Sequence, residues 1–282
     1  MKKLMTIASA LATLSLLVGL TTLAFGAKTI TVKGSDTMIN LGQAWAQAFS
    51  AKTKIPVSVA GGGSGVGIAA LINHATDIAE ASRTMTDKEI NDAKEKGVTP
   101  YRVINAWDGV SVIVNPNNPV KKLTTDQLAA IFSGQITNWS GVGGKNANIV
   151  LLIRDMNSGT HVFFEEHIIQ HKDKKAHYAT SARANATTQA IVDEVSQNGN
   201  AIGYVGLGYV TDAVRALAVK GDTGGYVMPS IAAVMNKTYP VARPLQWYTN
   251  GKPSGDIKRF VDFVLSADGQ KIVRALDFVP LK

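Results

Sequence analysis

Ile149-Val150-Leu151-Leu152-Ile153-Arg154-Asp155-Met156-Asn157-Ser158-Gly159-Thr160 is an apolar run that ends on an arginine and breaks into a polar turn. The helix-like stretch Val162–Gln170 follows, so the segment reads as strand, turn, helix. A helix start leaves its first N–H groups without partners inside the helix, and the aligned peptide dipoles put partial positive charge there. Such a turn suits an anion. Ser158 and Thr160 add hydroxyl donors, Gly159 admits close approach of the backbone, and Arg154 brings a planar fork that matches two oxygens of a tetrahedral oxyanion. The competing reading is an ordinary N-cap beside a surface arginine. His161 lies three residues after Ser158 and Phe163 three after Thr160, so no capping box draws on those N–H groups.

Working outward, the same pattern recurs. Thr29–Lys33 alternates as a strand and turns at Gly34-Ser35-Asp36-Thr37 into a helix with Met38, Leu41, Trp45, Ala48 and Phe49 at helical spacing. Val57–Ala60 leads into Gly61-Gly62-Gly63-Ser64-Gly65, a run of backbone N–H groups with Ser64 among them; its other reading is a flexible turn. This loop is not a nucleotide motif, because no Gly-Lys-Ser/Thr ends it and Val66 stands where the dinucleotide and nucleophile-elbow patterns need glycine. Asp77–Ala81 ends at Ser82-Arg83, and Thr86 with Glu89 forms a capping box that belongs to the next helix. Strands alternating with helices predict an α/β protein with largely parallel sheets. Ligands of such sheets sit at the carboxyl ends of strands, where all four turns lie, so one oxyanion site built from them is expected.

Tyr101–Ala106 and Val110–Asn115, interrupted by Trp107-Asp108-Gly109, suit a strand that leaves one sheet and enters another. Val214–Val219 is expected to carry the chain back, before a strand over Val241–Tyr248 and a helix from Ile257 to Leu265. Trp45, Phe49, Phe163 and Phe260 read as core. A hydrophobic share of 45% and a charged share of 18% over 282 residues suffice for two modest domains. Lys2 and Lys3 precede the uncharged run Leu4–Leu20 and then Thr21–Gly26, which predicts a secretory signal peptide over 1–26; a retained membrane anchor is the alternative. Cysteine is absent, which rules out disulfide staples and attachment through an N-terminal lipidated cysteine. The net charge of +8 falls by two without the leader, and no basic cluster with interleaved aromatics points to nucleic acid. His167 and His171 have metal spacing but no accompanying glutamate or cysteine, so neither metal nor cofactor is expected. A hydrolase would need a base for Ser158 or Ser64, and only His161 is near in sequence.

Taken together, Gly34-Ser35-Asp36-Thr37, the Gly61–Gly65 loop, Asp77 through Ser82-Arg83, Ile136-Thr137-Asn138-Trp139, Arg154-x-x-x-Ser158-Gly159-Thr160 and Ala201-Ile202-Gly203-Tyr204-Val205 resemble the PstS-like phosphate-binding component of bacterial phosphate ABC transporters. The resemblance implies a two-lobed type II periplasmic-binding-protein fold with a ligand cleft between the lobes. The expected first lobe covers 27–109 and 216–282, and the second 110–215. It further implies a periplasmic monomer that is no enzyme, closes on inorganic phosphate, and docks on a membrane ABC permease driven by a separate ATPase. Thr37 and Ser64 would contact phosphate from the first lobe, and Arg154, Ser158, Gly159 and Thr160 from the second. Ser35 would add a hydroxyl and Arg83 a charge. Some family members carry an aspartate where this chain has Arg83, and Met38 stands in place of an aromatic residue. Phosphate near neutral pH keeps a proton that sulfate lacks, so a carboxylate acceptor discriminates between them. With Arg83 in that position, Asp108 is the first candidate acceptor and Asp36 the second. Sulfate, molybdate or a phosphonate remain alternative ligands, and a secreted phosphatase an alternative class.

Overall fold

The computed structural model describes residues 28–281; the leader expected over 1–26 lies outside them. In chain order, β1 (Ile30–Gly34), α1 (Ile39–Thr53), β2 (Val57–Ala60), α2 (Ser64–Ile72), β3 (Ile78–Ala81) and α3 (Asp87–Glu95) come first. Then follow β4 (Pro100–Val114), β5 (Lys122–Thr124), α4 (Thr125–Phe132), β6 (Val150–Arg154), α5 (Gly159–Phe164), β7 (Arg183–Asn185), α6 (Thr188–Gln197) and β8 (Ala201–Gly206). The chain ends with β9 (Arg215–Ala216), β10 (Ala218–Lys220), α7 (Ile231–Met235), β11 (Ala242–Asn250), α8 (Gly255–Leu265) and α9 (Ala267–Ala275).

The expected α/β architecture is present, as two lobes sharing one path of strands, β2-β1-β3-β11-β4-β8-β6-β7. β1 pairs in parallel with β2 and β3, and β6 in parallel with β7 and β8. β4 joins the two sets. Its first part, through Gly109, runs antiparallel to β11, and Val110–Val114 runs antiparallel to β8. Trp107-Asp108-Gly109 lies inside this continuous strand, so the expected interruption is absent and Asp108 is a strand residue. Val214–Val219 does not return the chain to the first sheet: β9 pairs with the end of β4, and β10 pairs with β5. The return is made by β11, which pairs with both β3 and β4.

Side-chain alternation along the strands divides the core. Val110, Val112, Val114, Leu151, Ile153, Ile202 and Tyr204 face one cluster with Phe132 and Phe164. Ile113, Leu152, Ala201 and Val205 face the other, covered by Ile191, Val192 and Val195 of α6. Trp45, Phe49 and Phe260 are buried with Trp247 in that second cluster, and Phe163 belongs to the first. Trp45 and Trp247 meet edge to face at 5.4 Å, and the Trp45 indole N–H donates to the Gly269 carbonyl at 2.9 Å.

The start of α2 is held against the end of β1 by close backbone approach. A Cβ on Gly67 would stand 2.2 Å from the Lys33 carbonyl oxygen and 2.5 Å from the Gly34 Cα. Gly67→Ala is therefore expected to lower unfolding free energy by about 1–3 kcal/mol through overpacking, read as a reduced midpoint in urea. An unchanged midpoint would contradict this packing.

Candidate anion-binding site

The carboxyl ends of β1, β2, β3 and β6 meet. Ser35 Oγ donates to Ser82 Oγ at 3.0 Å, while Ser64 Oγ lies 3.3 Å from Ser82 Oγ and accepts the Ser82 N–H at 3.0 Å. Thr37 Oγ1 lies 2.7 Å from Thr160 Oγ1 across the cleft. Gly65 N–H donates to the Asn157 carbonyl at 3.0 Å, so the glycine loop touches the 154–160 turn directly. Gly159 is required by this approach, because a Cβ there would stand 2.3 Å from Ser64 Oγ and 2.7 Å from Ser82 Oγ. Ser35, Thr37, Ser64, Ser82, Ser158 and Thr160 are all buried. Hydroxyls both donate and accept, and each keeps an adjustable hydrogen.

Arg154 is 1% exposed, so it is not a surface arginine. Its Nε donates to the Asn185 carbonyl at 3.2 Å, Nη1 to Thr188 Oγ1 at 2.6 Å and Nη2 to the Ala186 carbonyl at 2.8 Å. Nη2 also lies 3.3 Å from Asp36 Oδ2. The turn is anchored from behind: Arg154 N–H donates to Tyr204 Oη at 3.3 Å, Tyr204 Oη lies 2.8 Å from Tyr178 Oη, and the His161 ring meets the Arg154 carbonyl at 2.7 Å. Burial pushes the Tyr204 phenol above its ordinary pKa, so it stays protonated.

Ser158 does act as an N-cap. Its Oγ accepts from Thr160 N–H at 3.2 Å and His161 N–H at 3.3 Å. Two of the helix-start donors expected to serve an anion are therefore taken by the chain itself.

A second buried arginine escaped the sequence reading. Arg243 on β11 stands directly opposite Asp108 on β4, and its Nε and Nη2 donate to Asp108 Oδ2 at 3.1 and 2.9 Å. Nη1 donates to the Ser82 carbonyl at 3.0 Å and Nη2 to Thr160 Oγ1 at 2.9 Å. Asp108 Oδ1 accepts the Leu207 N–H at 2.9 Å. Burial pulls the Arg243 guanidinium below its usual pKa; the charge of Asp108 opposes this and that of Arg154 adds to it. The visible signal was an arginine between Val241-Ala242 and Leu245, since a charge inside an apolar strand needs a buried partner.

Arg83 is not among the hydroxyls. Its two terminal nitrogens grip Glu89 at 2.7 Å each, while Ser82 enters the cluster in its place. Arg83 instead lines a side cavity of about 220 Å³ with Met85, Phe163, His167, Arg243 and Pro244. His171 lies with Asp126 and Asp222 on the surface, where Lys172 occupies Asp126 at 2.6 Å. His167 stacks on Phe163 at 4.1 Å.

Residues 21–268 match the model of the PBP superfamily domain. Protein SphX of Synechococcus elongatus is 34% identical over 265 residues, covering 89% of this chain and 77% of that protein. The phosphate-binding protein PstS of Pseudomonas aeruginosa is 30% identical over 267 residues, covering 88% of this chain and 81% of its own length. The chain belongs to the PstS-like phosphate-binding family. A crystal structure from Clostridium perfringens, described as a phosphate ABC transporter substrate-binding protein with bound phosphate, is 33% identical with a TM-score of 0.81 and covers 90% of this chain and 100% of that one. This PstS-like chain spans 65% to 81% of the lengths of its curated relatives.

Beneath the hydroxyls of this PstS-like fold lies Glu80, whose carbonyl accepts Ser35 N–H at 2.8 Å. Its carboxyl is fully buried, takes the Trp247 indole N–H at 3.0 Å on Oε1, and has no hydrogen-bond partner on Oε2. Burial raises its pKa from 4.5 to about 8, with the Trp247 hydrogen bond opposing. Between those values the native state holds a proton that the unfolded chain has released, so stability falls as pH rises through that window. Glu80→Gln should flatten this fall and raise stability at pH 8 by an amount on the order of a few kcal/mol. Parallel denaturation curves of both proteins from pH 5 to pH 8.5 would show it, and equal slopes would refute it.

Proposed function

We propose that this chain is an extracytoplasmic solute-binding protein that captures inorganic phosphate between its lobes and delivers it to an ABC-type permease. The observation that carries this reading is the buried hydroxyl cluster, drawn from both lobes and framed by Arg154 and Arg243. Ser35, Thr37, Ser64, Ser82, Ser158, Thr160 and the Gly159 backbone are the groups that satisfy the oxygens of the anion. The proton-bearing oxygen of phosphate donates to one of these hydroxyls, which serve as acceptors too. Asp108 acts through Arg243 as its counter-ion. Arg83 acts at the side cavity, one step removed from the oxygens.

The first lobe comprises residues up to Gly109 and from Ala242 onward, and the second lobe the residues between. Residues 1–26 act as the leader that takes the chain to the periplasm, and the protein works as a monomer. No helix among the described residues is long and apolar enough to cross a membrane. Binding without chemistry accords with His161, whose Nδ1 is committed to the Arg154 carbonyl rather than to a serine hydroxyl.

Calorimetric titration should give one phosphate per chain, bound more tightly than sulfate or molybdate, with no turnover of a chromogenic phosphate ester. Phosphate at about 100 times its Kd should stabilise the fold by about 2.7 kcal/mol, seen as a higher Tm; an unmoved Tm would overturn the assignment. Thr160→Val removes the hydroxyl that links Thr37 and Arg243 while keeping its shape. It should weaken phosphate binding by about 10- to 100-fold, the range for a charge-assisted hydrogen bond. Arg154→Ala should abolish tight binding altogether, with circular dichroism confirming the fold.

A further inference from the structure

Asp36 sits on the first-lobe turn after β1, yet its carboxylate is held by the second lobe. Oδ2 accepts the Thr188 N–H at 2.6 Å and the Thr188 hydroxyl at 2.8 Å, and stands 3.3 Å from Arg154 Nη2. Thr188 opens α6, whose own N-cap Thr187 is occupied by Ala190 N–H. The Asp36 carboxylate thus adds negative charge at a helix start, in the favourable sense of the dipole. Thr188 Oγ1 also receives Arg154 Nη1 at 2.6 Å, so carboxylate, hydroxyl and guanidinium form one closed ring of contacts. Even the Asp36 carbonyl reaches across, accepting the Tyr209 hydroxyl at 3.0 Å.

We propose that Asp36 is the closure latch of the cleft: a positioning residue that grips Arg154 and Thr188 when the lobes meet, and not a group that touches the ligand. Three donors converge on the single oxygen Oδ2, and a carboxylate beside an incoming oxyanion would repel it. When the lobes part, Arg154 and the start of α6 lose the carboxylate, and the second lobe presents an uncompensated positive charge to the open cleft. An anion is drawn to that charge. When the lobes close, Asp36 compensates the charge again and the ring of contacts resists reopening. Asp36 therefore governs release more than capture.

The proposal rests on the two-lobe phosphate reading, and its test separates the two. The chain has no cysteine, so Lys94→Cys in the first lobe and Lys145→Cys in the second, both exposed, accept a distance-reporting pair of labels. Without ligand, Asp36→Ala should shift the distance distribution toward longer separations. Asp36→Asn, which keeps an acceptor for Thr188 but no charge, should lie between Asp36→Ala and the unsubstituted protein and serves if the alanine variant folds poorly. Thr188→Val should act in the same direction and add little on top of Asp36→Ala. In stopped-flow measurements with inorganic phosphate, Asp36→Ala should speed dissociation at least tenfold, leave association within about twofold, and leave the ratio of phosphate to sulfate affinity unchanged. Unchanged distances in both Asp36 variants would overturn the latch, as would a changed affinity ratio with unchanged dissociation. If the unsubstituted protein binds no phosphate, the phosphate reading fails while the ligand-free distances still decide the latch.

Discussion

Arg243 and Asp108 form a buried ion pair where β4 leaves one sheet for the other, and the arrangement of the cleft depends on it. A pair at this depth is a poor source of net stability, because desolvation offsets most of the attraction, but leaving either partner alone is costly. The pair therefore constrains geometry. One guanidinium is held by Asp108 on β4, by the Ser82 carbonyl at the end of β3 and by the Thr160 hydroxyl at the start of α5. These three points belong to the shared strand, the first lobe and the second. The hydroxyl cluster lies between the second and third.

Charge in the cleft is balanced. Arg154 faces Asp36 and Arg243 faces Asp108, so two cations are matched by two carboxylates before any anion is considered. In the proposed site an anion would then be held largely by oriented hydroxyls and N–H groups that are buried, where such dipoles act more strongly than in water. A serine or threonine hydroxyl can turn to donate or to accept, so the cluster closes on itself at 2.7 to 3.3 Å and remains suited to oxygens that bear or lack a proton. The two pairs differ in placement. Arg243 and Asp108 face each other across the neighbouring strands β11 and β4, whereas Asp36 follows β1 and Arg154 ends β6.

Much of the site was legible because its residues lie in local patterns. Gly34–Thr37, Gly61–Gly65 and Arg154–Thr160 are each a strand end passing into a helix, and a reader needs only periodicity and turn chemistry to find them. Arg243 and Thr188 were missed for the opposite reason. Arg243 sits mid-strand far along the chain, and Thr188 looks like one of many helix-start residues. Arg83 was singled out because its place in the sequence matched a turn, and its pairing with Glu89 of the helix that follows was not legible there. The return of the chain at β11, and not at Val214–Val219, was likewise invisible: short apolar segments do not name their neighbours.

The amino-acid sequence by itself determined the α/β class, the strand ends that carry the hydroxyls, the buried aromatic faces and the family resemblance. Each is written in spacing between residues close along the chain. Tertiary structure alone decided which charges meet. Arg243 finds Asp108, and Asp36 finds Arg154 and Thr188, because the crossing of β4 and β11 brings together residues more than a hundred positions apart, and pairing across such distances is set by how the lobes pack.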